Sequence, residues 1–360
     1  MEKIMKLKTF QEIVELNSFN VKTGYHCESS AIMNALRFQG VELGENMITG
    51  MGSAPAFFFN AEDAFSFLGA RSYTMLENFC ASTGINAESA SPKTGQEAYD
   101  MAKEILKAGI PVVLRVNMRY LPYLHGGKYG DKYSSFGWHF VCLVKIDEQQ
   151  GVAWVTDTAY KELQMVKLHD LAKARNSKEG MFKTENFLYF FKNPSLINID
   201  YKAAFFKSLK MLLENYEKMD GGLIALEKLP DNIRNIEKGR NIFILKPLFY
   251  TFYGYIEEFG TGGSAFRNFL KDYFIEMSER LVIRDLEKTA RIVETSCAAW
   301  TALALEFKYM SEAFEGLKKG KEERTMMYEN AAKKAHSLFI AEKYIYESVK
   351  SIYSKLNLSY

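Results

Sequence analysis

The chain changes character once, near Asn193-Pro194, and that change constrains the fold more than any other feature. Before it, short β-rich runs alternate with Gly-containing loops. Residues 110–116 read as a buried strand, and residues 138–146, 152–156 and 187–191 read the same way. Helices are expected over residues 28–39 and over residues 95–107, the second stopped by Gly109. After Ile197, apolar residues recur at three- and four-residue spacing with charges between them. Residues 200–218, 264–280, 285–314 and 322–356 are therefore expected as amphipathic helices of a bundle. Gly221-Gly222 and Gly260-Thr261-Gly262-Gly263 punctuate it, with Ser264 expected as an N-cap. The pattern predicts an α+β chain of two domains, 1–197 and 198–360, the second all-helical. A length of 360 residues agrees with two cores.

A formal charge of +2 gives no reason to expect nucleic acid as a partner. Residues 1–8 alternate charged and apolar side chains, unlike a signal peptide, and no apolar run is long enough to span a bilayer. No membrane association and a cytoplasmic location are the expectations. Cys27, Cys80, Cys142 and Cys297 are widely scattered, with no C-x-x-C pair. In a reducing compartment each is a small core residue or a reactive thiol. Cys142 alternates with His139 along one strand, Cys297 sits in an apolar helical stretch, and Cys80 has no base nearby in sequence, so these three read as inert. No cluster of His, Cys, Asp and Glu has the spacing of a metal site. The Gly260 to Gly263 segment lacks the strand and the lysine of a phosphate-binding loop. Neither a metal nor a bound cofactor is expected.

Cys27 stands in Gly24-Tyr25-His26-Cys27-Glu28-Ser29-Ser30, where a Gly-containing loop meets the start of a helix. Ile32, Ala35 and Leu36 form one helical face, and Gly40 supplies the stop. The unpaired amides and positive dipole end of a helix N-terminus favour a thiolate and can stabilise an oxyanion. Position alone leaves a buried structural cysteine equally open. His26 is adjacent and points elsewhere, so a base must come from another part of the chain.

Of the five histidines, His139 opens the strand that runs through Cys142, and a polar turn at residues 147–151 leads into Val152 to Asp157. This reads as a β-hairpin. With Gln149 at its centre, position 141 faces position 157. His139 and Asp157 then become diagonal neighbours on one face, roughly 7–8 Å apart at the backbone. A carboxylate at that distance can fix the imidazole tautomer and steady the imidazolium. A slip of one residue would put Asp157 on the other face. A histidine at a strand end beside a turn-forming aspartate is the plain structural alternative. His125 is the second candidate base, with a loop histidine near a substrate entrance as the equal alternative.

Residues 24–31, followed by Asn34, Gly40, Gly44-Glu45 and Gly50-Met51-Gly52, resemble the N-terminal domain of the butirosin biosynthesis acyltransferase family. Leu121-Pro122-Tyr123, Trp138-His139-Phe140-Val141 and Val155-Thr156-Asp157-Thr158 continue the resemblance. Gly262-Gly263 through Phe266-Arg267 is similar to the helical domain that often follows. The match spans most of the chain, and the His26-Cys27 block is its more specific part. The resemblance implies a papain-like fold and an acyl donor on the phosphopantetheine arm of an acyl or peptidyl carrier protein. It further implies a Cys27 thioester intermediate and a small amine acceptor, in antibiotic assembly. Cysteine-protease-like amide synthetases of closthioamide-type pathways use similar machinery. By motif, Cys27 is the nucleophile, His139 the base and Asp157 the orienting carboxylate. One departure stands out: papain-type enzymes place a Gln shortly before the Cys, whereas the nearest here is Gln11. Asn20 reads as a turn-forming or capping residue rather than a substitute, which leaves the Cys27 amide as the expected oxyanion donor.

An amidase or peptidase with the same triad, and a catalytically silent binding protein with the same fold, remain the rival readings. Phe57-Phe58-Phe59 and the Tyr120 to Tyr123 loop are candidate walls of the site, with core packing as the plainer alternative. Lys318-Lys319-Gly320-Lys321 and Lys333-Lys334 are candidate docking charges for an acidic carrier, with solvated helix faces as the alternative. The helical half is open to three roles: acceptor binding, carrier docking or homodimer formation.

Overall fold

In the computed structural model, residues 21–60, 67–125, 135–180, 182–313 and 320–357 are described. In chain order they form α1 (Cys27–Arg37), α2 (Glu45–Met51), β1 (Pro55–Asn60), β2 (Phe67–Arg71), α3 (Met75–Thr83), β3 (Ala87–Ala90), α4 (Gly95–Lys107) and β4 (Val112–Val116). Then follow β5 (His139–Asp147), β6 (Val152–Thr156), β7 (Gln164–Lys167), α5 (Leu168–Arg175) and β8 (Leu188–Phe191). The rest is helical: α6 (Tyr201–Glu217), α7 (Gly222–Arg234), α8 (Leu245–Glu257), α9 (Arg267–Leu281), α10 (Asp285–Ala313) and α11 (Lys321–Asn357). The chain is α+β with a helical C-terminal region. Among the described residues, no helix is long and apolar enough to cross a membrane.

The elements sort into two compact units. One holds the described residues up to Glu45 together with Ile85–Asn198; the other holds Asn46–Gly84 and the described residues from Ile199 onward. Residues 46–84, expected in the first domain, thus pack in the second unit. Aromatic burial accounts for this. Phe57 of β1 lies against Trp300 of α10, and Phe59 meets Phe252 of α8, each at 5.6 Å between ring centres. Asn215 Nδ2 of α6 also donates to the carbonyls of Ser53 and Pro55.

The first unit is built on an antiparallel six-stranded sheet in the order β3-β8-β4-β5-β6-β7. One face carries Val112, Leu114 and Val116 of β4, Val141 and Leu143 of β5, and Ala153 and Val155 of β6. These pack with Ala102 of α4 and with Leu171 and Ala174 of α5. Each fully buried Val or Leu contributes about 1.5–3 kcal/mol. The two-residue period sends Val113, Phe140 and Cys142 to the opposite face. There α1 lies along β5 and buries Ile32, Ala35 and Leu36. Helix α4 has the bounds its sequence predicts. Thr94 Oγ1 accepts the Glu97 N–H, the Glu97 carboxylate accepts the Thr94 N–H, and Gly109 closes the other end at φ +78°.

The β5–β6 hairpin holds two registers. Near its turn Asp147 faces Val152, Ile146 faces Ala153 and Lys145 faces Trp154, whereas further on Leu143 faces Val155 and Cys142 faces Thr156. Val144 is the extra residue between them, a bulge that steps the pairing by one.

The second unit closes around a buried ion pair. Arg267 donates to Glu342 from Nε at 3.0 Å and Nη2 at 2.8 Å, and both side chains are essentially inaccessible. Trp300 Nε1, Tyr216 Oη and Ser296 Oγ also donate to that carboxylate. Arg267 Nη1 is taken by the carbonyls of Ala56 and Ala265. Such a pair is tolerable because its hydrogen-bonding groups find partners. Ser264 is not an N-cap: Ser264, Ala265 and Phe266 all take positive φ, from +50° to +68°, and α9 starts only at Arg267. Left-handed non-glycine backbone costs about 1–2 kcal/mol per residue, and the bond from Arg267 to Ala265 holds it in place.

Candidate active site

The start of α1 is assembled by side chains. His26 is its N-cap, at φ −105° and ψ 128°, and His26 Nδ1 accepts the Ser29 N–H at 3.2 Å. That nitrogen is therefore used for capping. Cys27 is the first helical residue and only partly buried. Its amide is one of those that helix geometry leaves without an intrahelical partner. Its thiol makes a weak donor contact of 3.9 Å to the Trp138 carbonyl oxygen. The loop ahead of it is pinned twice. Gly24 N–H donates to Thr158 O at 2.8 Å. The Glu45 carboxylate accepts Tyr25 N–H at 2.8 Å, His26 N–H at 3.0 Å and the Ser29 hydroxyl at 2.8 Å.

His139 opens β5 opposite Val116 of β4. Because Cys142 faces Thr156, continuing the ladder by one sets position 141 opposite 157, as the hairpin reading of the sequence requires. His139 and Asp157 then share a face. His139 Nε2 lies 2.9 Å from both carboxylate oxygens of Asp157, and the two residues are only 7% and 4% exposed. Asp157 also accepts the Tyr123 hydroxyl at 2.7 Å and the Thr158 N–H at 2.6 Å. Tyr160 Oη in turn donates to the Tyr123 carbonyl at 2.8 Å, with the rings edge to face.

These contacts set the charges. Burial works against a cationic His139, but the Asp157 charge and hydrogen bond, with a smaller contribution from Cys27, overcome it and raise its pKa to about 10. Burial likewise opposes the Asp157 carboxylate. The His139 charge and the bonds from His139, Tyr123 and Thr158 nevertheless hold it below the usual carboxylate range. Burial and the neighbouring carboxylate push the Tyr123 hydroxyl well up, so it stays a donor. With Nε2 engaged by Asp157, Nδ1 is the nitrogen left for Cys27.

The other candidates separate from this group. His125 Nε2 lies 2.9 Å from the Arg119 carbonyl oxygen, within its own loop. Burial raises the pKa of the Cys142 thiol strongly and moves that of Cys297 to about 11. Phe57 and Phe59 are packing residues of the second unit. In the first unit Trp138 lies beside Cys27, its ring 5.0 Å from that of Phe182, with the Arg115 guanidinium over Trp138 and Phe187. Lys334 pairs with Glu306. Gln11, Asn20, Phe314, Lys318, Lys319 and residues 1–8 lie outside the described residues. Among the described residues, no group of His, Cys, Asp and Glu could hold a metal ion. Sequence reasoning missed Glu45 as a partner of the Cys27 loop and Tyr123 as a donor to Asp157. Neither stands at a spacing that signals it.

Residues 26–158 match the family model described as butirosin biosynthesis protein H, N-terminal, a span that contains Cys27, His139 and Asp157. Residues 169–349, half of the chain, match a domain of unknown function, DUF4872. No curated protein matches the chain.

Proposed function

We propose, because the chain belongs to the butirosin biosynthesis protein H family, that it is a cysteine-dependent acyltransferase with a papain-like first unit. The observation that carries this reading is the buried His139–Asp157 pair: Nε2 lies 2.9 Å from both carboxylate oxygens, and Cys27 is near enough to add to the raised His139 pKa. A cysteine at a helix N-terminus and a His–Asp pair on an antiparallel sheet form the arrangement that papain-like acyl transfer uses.

In this reading the donor is an acyl group on the phosphopantetheine thiol of a carrier protein, and the acceptor is a small amine. The Cys27 thiolate attacks the thioester carbonyl, and the Cys27 amide donates to the oxyanion. The C–S bond to pantetheine breaks, and its thiolate takes the His139 proton. An acyl–Cys27 thioester remains. Neutral His139 then removes a proton from the amine as its nitrogen attacks the acyl carbon. Collapse forms the amide and returns Cys27 as a thiolate beside an imidazolium. Asp157 stays ionised throughout and holds Nε2–H.

A hydrolase is the second reading, favoured by the partial exposure of Cys27, which lets water reach the acyl-enzyme. Intact-mass spectrometry of the protein after exposure to an acylated carrier protein tests both. The acyl mass should appear on the wild type, be absent from Cys27→Ala, and discharge as amide when amine is added. An adduct on Cys27→Ala would remove the nucleophile assignment, and free acid as the only product with amine present would favour hydrolysis.

A further inference from the structure

Glu45 sits in the first unit at the start of α2, 8% exposed, and its carboxylate is spent on the backbone just ahead of the nucleophile. Oε2 accepts Tyr25 N–H at 2.8 Å; Oε1 accepts His26 N–H at 3.0 Å and the Ser29 hydroxyl at 2.8 Å. Ser29 N–H returns to His26 Nδ1. Glu45, His26 and Ser29 therefore close a ring of hydrogen bonds around the first turn of α1. Gly24 completes it: a Cβ there would lie 2.6 Å from both the carboxyl carbon and Oε2 of Glu45, so any larger residue would push the carboxylate away from the amides it holds.

Burying a carboxylate is costly unless it is well bonded, and a loop can turn into a helix without one. Here the carboxylate fixes the two peptide planes that precede Cys27. It also occupies the Tyr25 and His26 amides, so neither competes with the Cys27 amide for a developing oxyanion.

We infer that Glu45 is a positioning residue for the proposed acyl transfer, aiming the Cys27 thiol and amide by clamping the Tyr25 and His26 amides. This rests on the acyl-transfer reading. Glu45 acts through the Tyr25 and His26 amides, so its loss should slow the chemical step and leave donor binding intact.

The test measures acylation of Cys27 by an acyl-pantetheine thioester, and separately alkylation of Cys27 by iodoacetamide, in the full chain. Glu45→Gln keeps the shape but turns an amide NH2 toward a backbone N–H. Gly24→Ala keeps the carboxylate and crowds it off the amides, so it serves if Glu45→Gln does not fold. In either variant the acylation rate at saturating thioester should fall about 10- to 100-fold, the loss expected of a misplaced reacting group. The half-saturating concentration should stay within about twofold of the wild type. Acylation at the wild-type rate in both folded variants, or a change confined to the half-saturating concentration, would overturn the inference. If the wild type itself takes no acyl group, the acyl-transfer reading fails. The alkylation arm then decides on Glu45 alone: Cys27 should alkylate at least tenfold more slowly in the variants, and an unchanged rate sinks the clamp.

Discussion

A histidine held protonated well above neutrality would begin the proposed acyl transfer as an acid, and the Asp157 charge holds His139 in that state. The sign of its contribution follows from the shift. Folding raises the His139 pKa from 6.5 to about 10, so the pair with Asp157 stabilises fully below 6.5 and fades as pH rises through about 10. Asp157 is held below its ordinary 3.8, so the same pair is lost as pH falls through that depressed value. The imidazole resonances of a 15N-histidine-labelled sample should show one ring that stays cationic to about pH 10. In Asp157→Asn its midpoint should drop by about 1–3 units; a wild-type midpoint near 6.5 would contradict the charge assignment. Cys27, His139 and Asp157 were legible as candidates because each belongs to a local pattern, a helix start or a hairpin. Glu45 and Tyr123 were not. Their contacts come from residues 19 and 34 positions away, and nothing local in the sequence marks them.

At the scale of elements, the His139–Asp157 contact depends on a bulge that no local pattern announced. A regular hairpin continued from Lys145–Trp154 would set Cys142 opposite position 157 and turn Asp157 to the wrong face. Val144 absorbs one residue and restores the register that the sequence argument reached by assuming a regular turn about Gln149. The residue is extra to both ladders, so deleting it should leave both in register. Deletion of Val144 should therefore cost stability, about 1.5–3 kcal/mol for a buried valine, yet keep the His139 midpoint near 10. Deletion of Trp154 should instead displace Asp157 and abolish the raised midpoint. Chemical denaturation with the same histidine titration reads both; loss of the His139 shift on removing Val144 would refute the argument. Strands of clear alternation and helix α4, bracketed by Thr94 and Gly109, were legible. Helix α7 was not, because Pro230 inside it reads as a breaker.

At the scale of the whole molecule, the sequence shows where composition changes and not which segments share a core. The boundary near residue 197 marks the end of the first unit's last strand, but β1, β2 and α3 belong with helices that begin after it. Amphipathicity says that a face must be covered, not which later helix covers it. A chain ended after residue 198 should therefore keep its six-stranded sheet but leave Phe57 and Phe59 without Trp300 and Phe252. It should bind a hydrophobic dye such as ANS and aggregate; a monomeric, dye-silent fragment would show that residues 46–84 pack without the helical segment.

The same two-piece unit has a consequence during synthesis. Residues 46–84 leave the ribosome first, then the 114 residues of Ile85–Asn198, and only then the helices that cover them. At about 5–20 residues per second this is a wait of roughly ten seconds, with a β-forming aromatic segment uncovered. That interval, more than the finished fold, is when this protein most needs a chaperone.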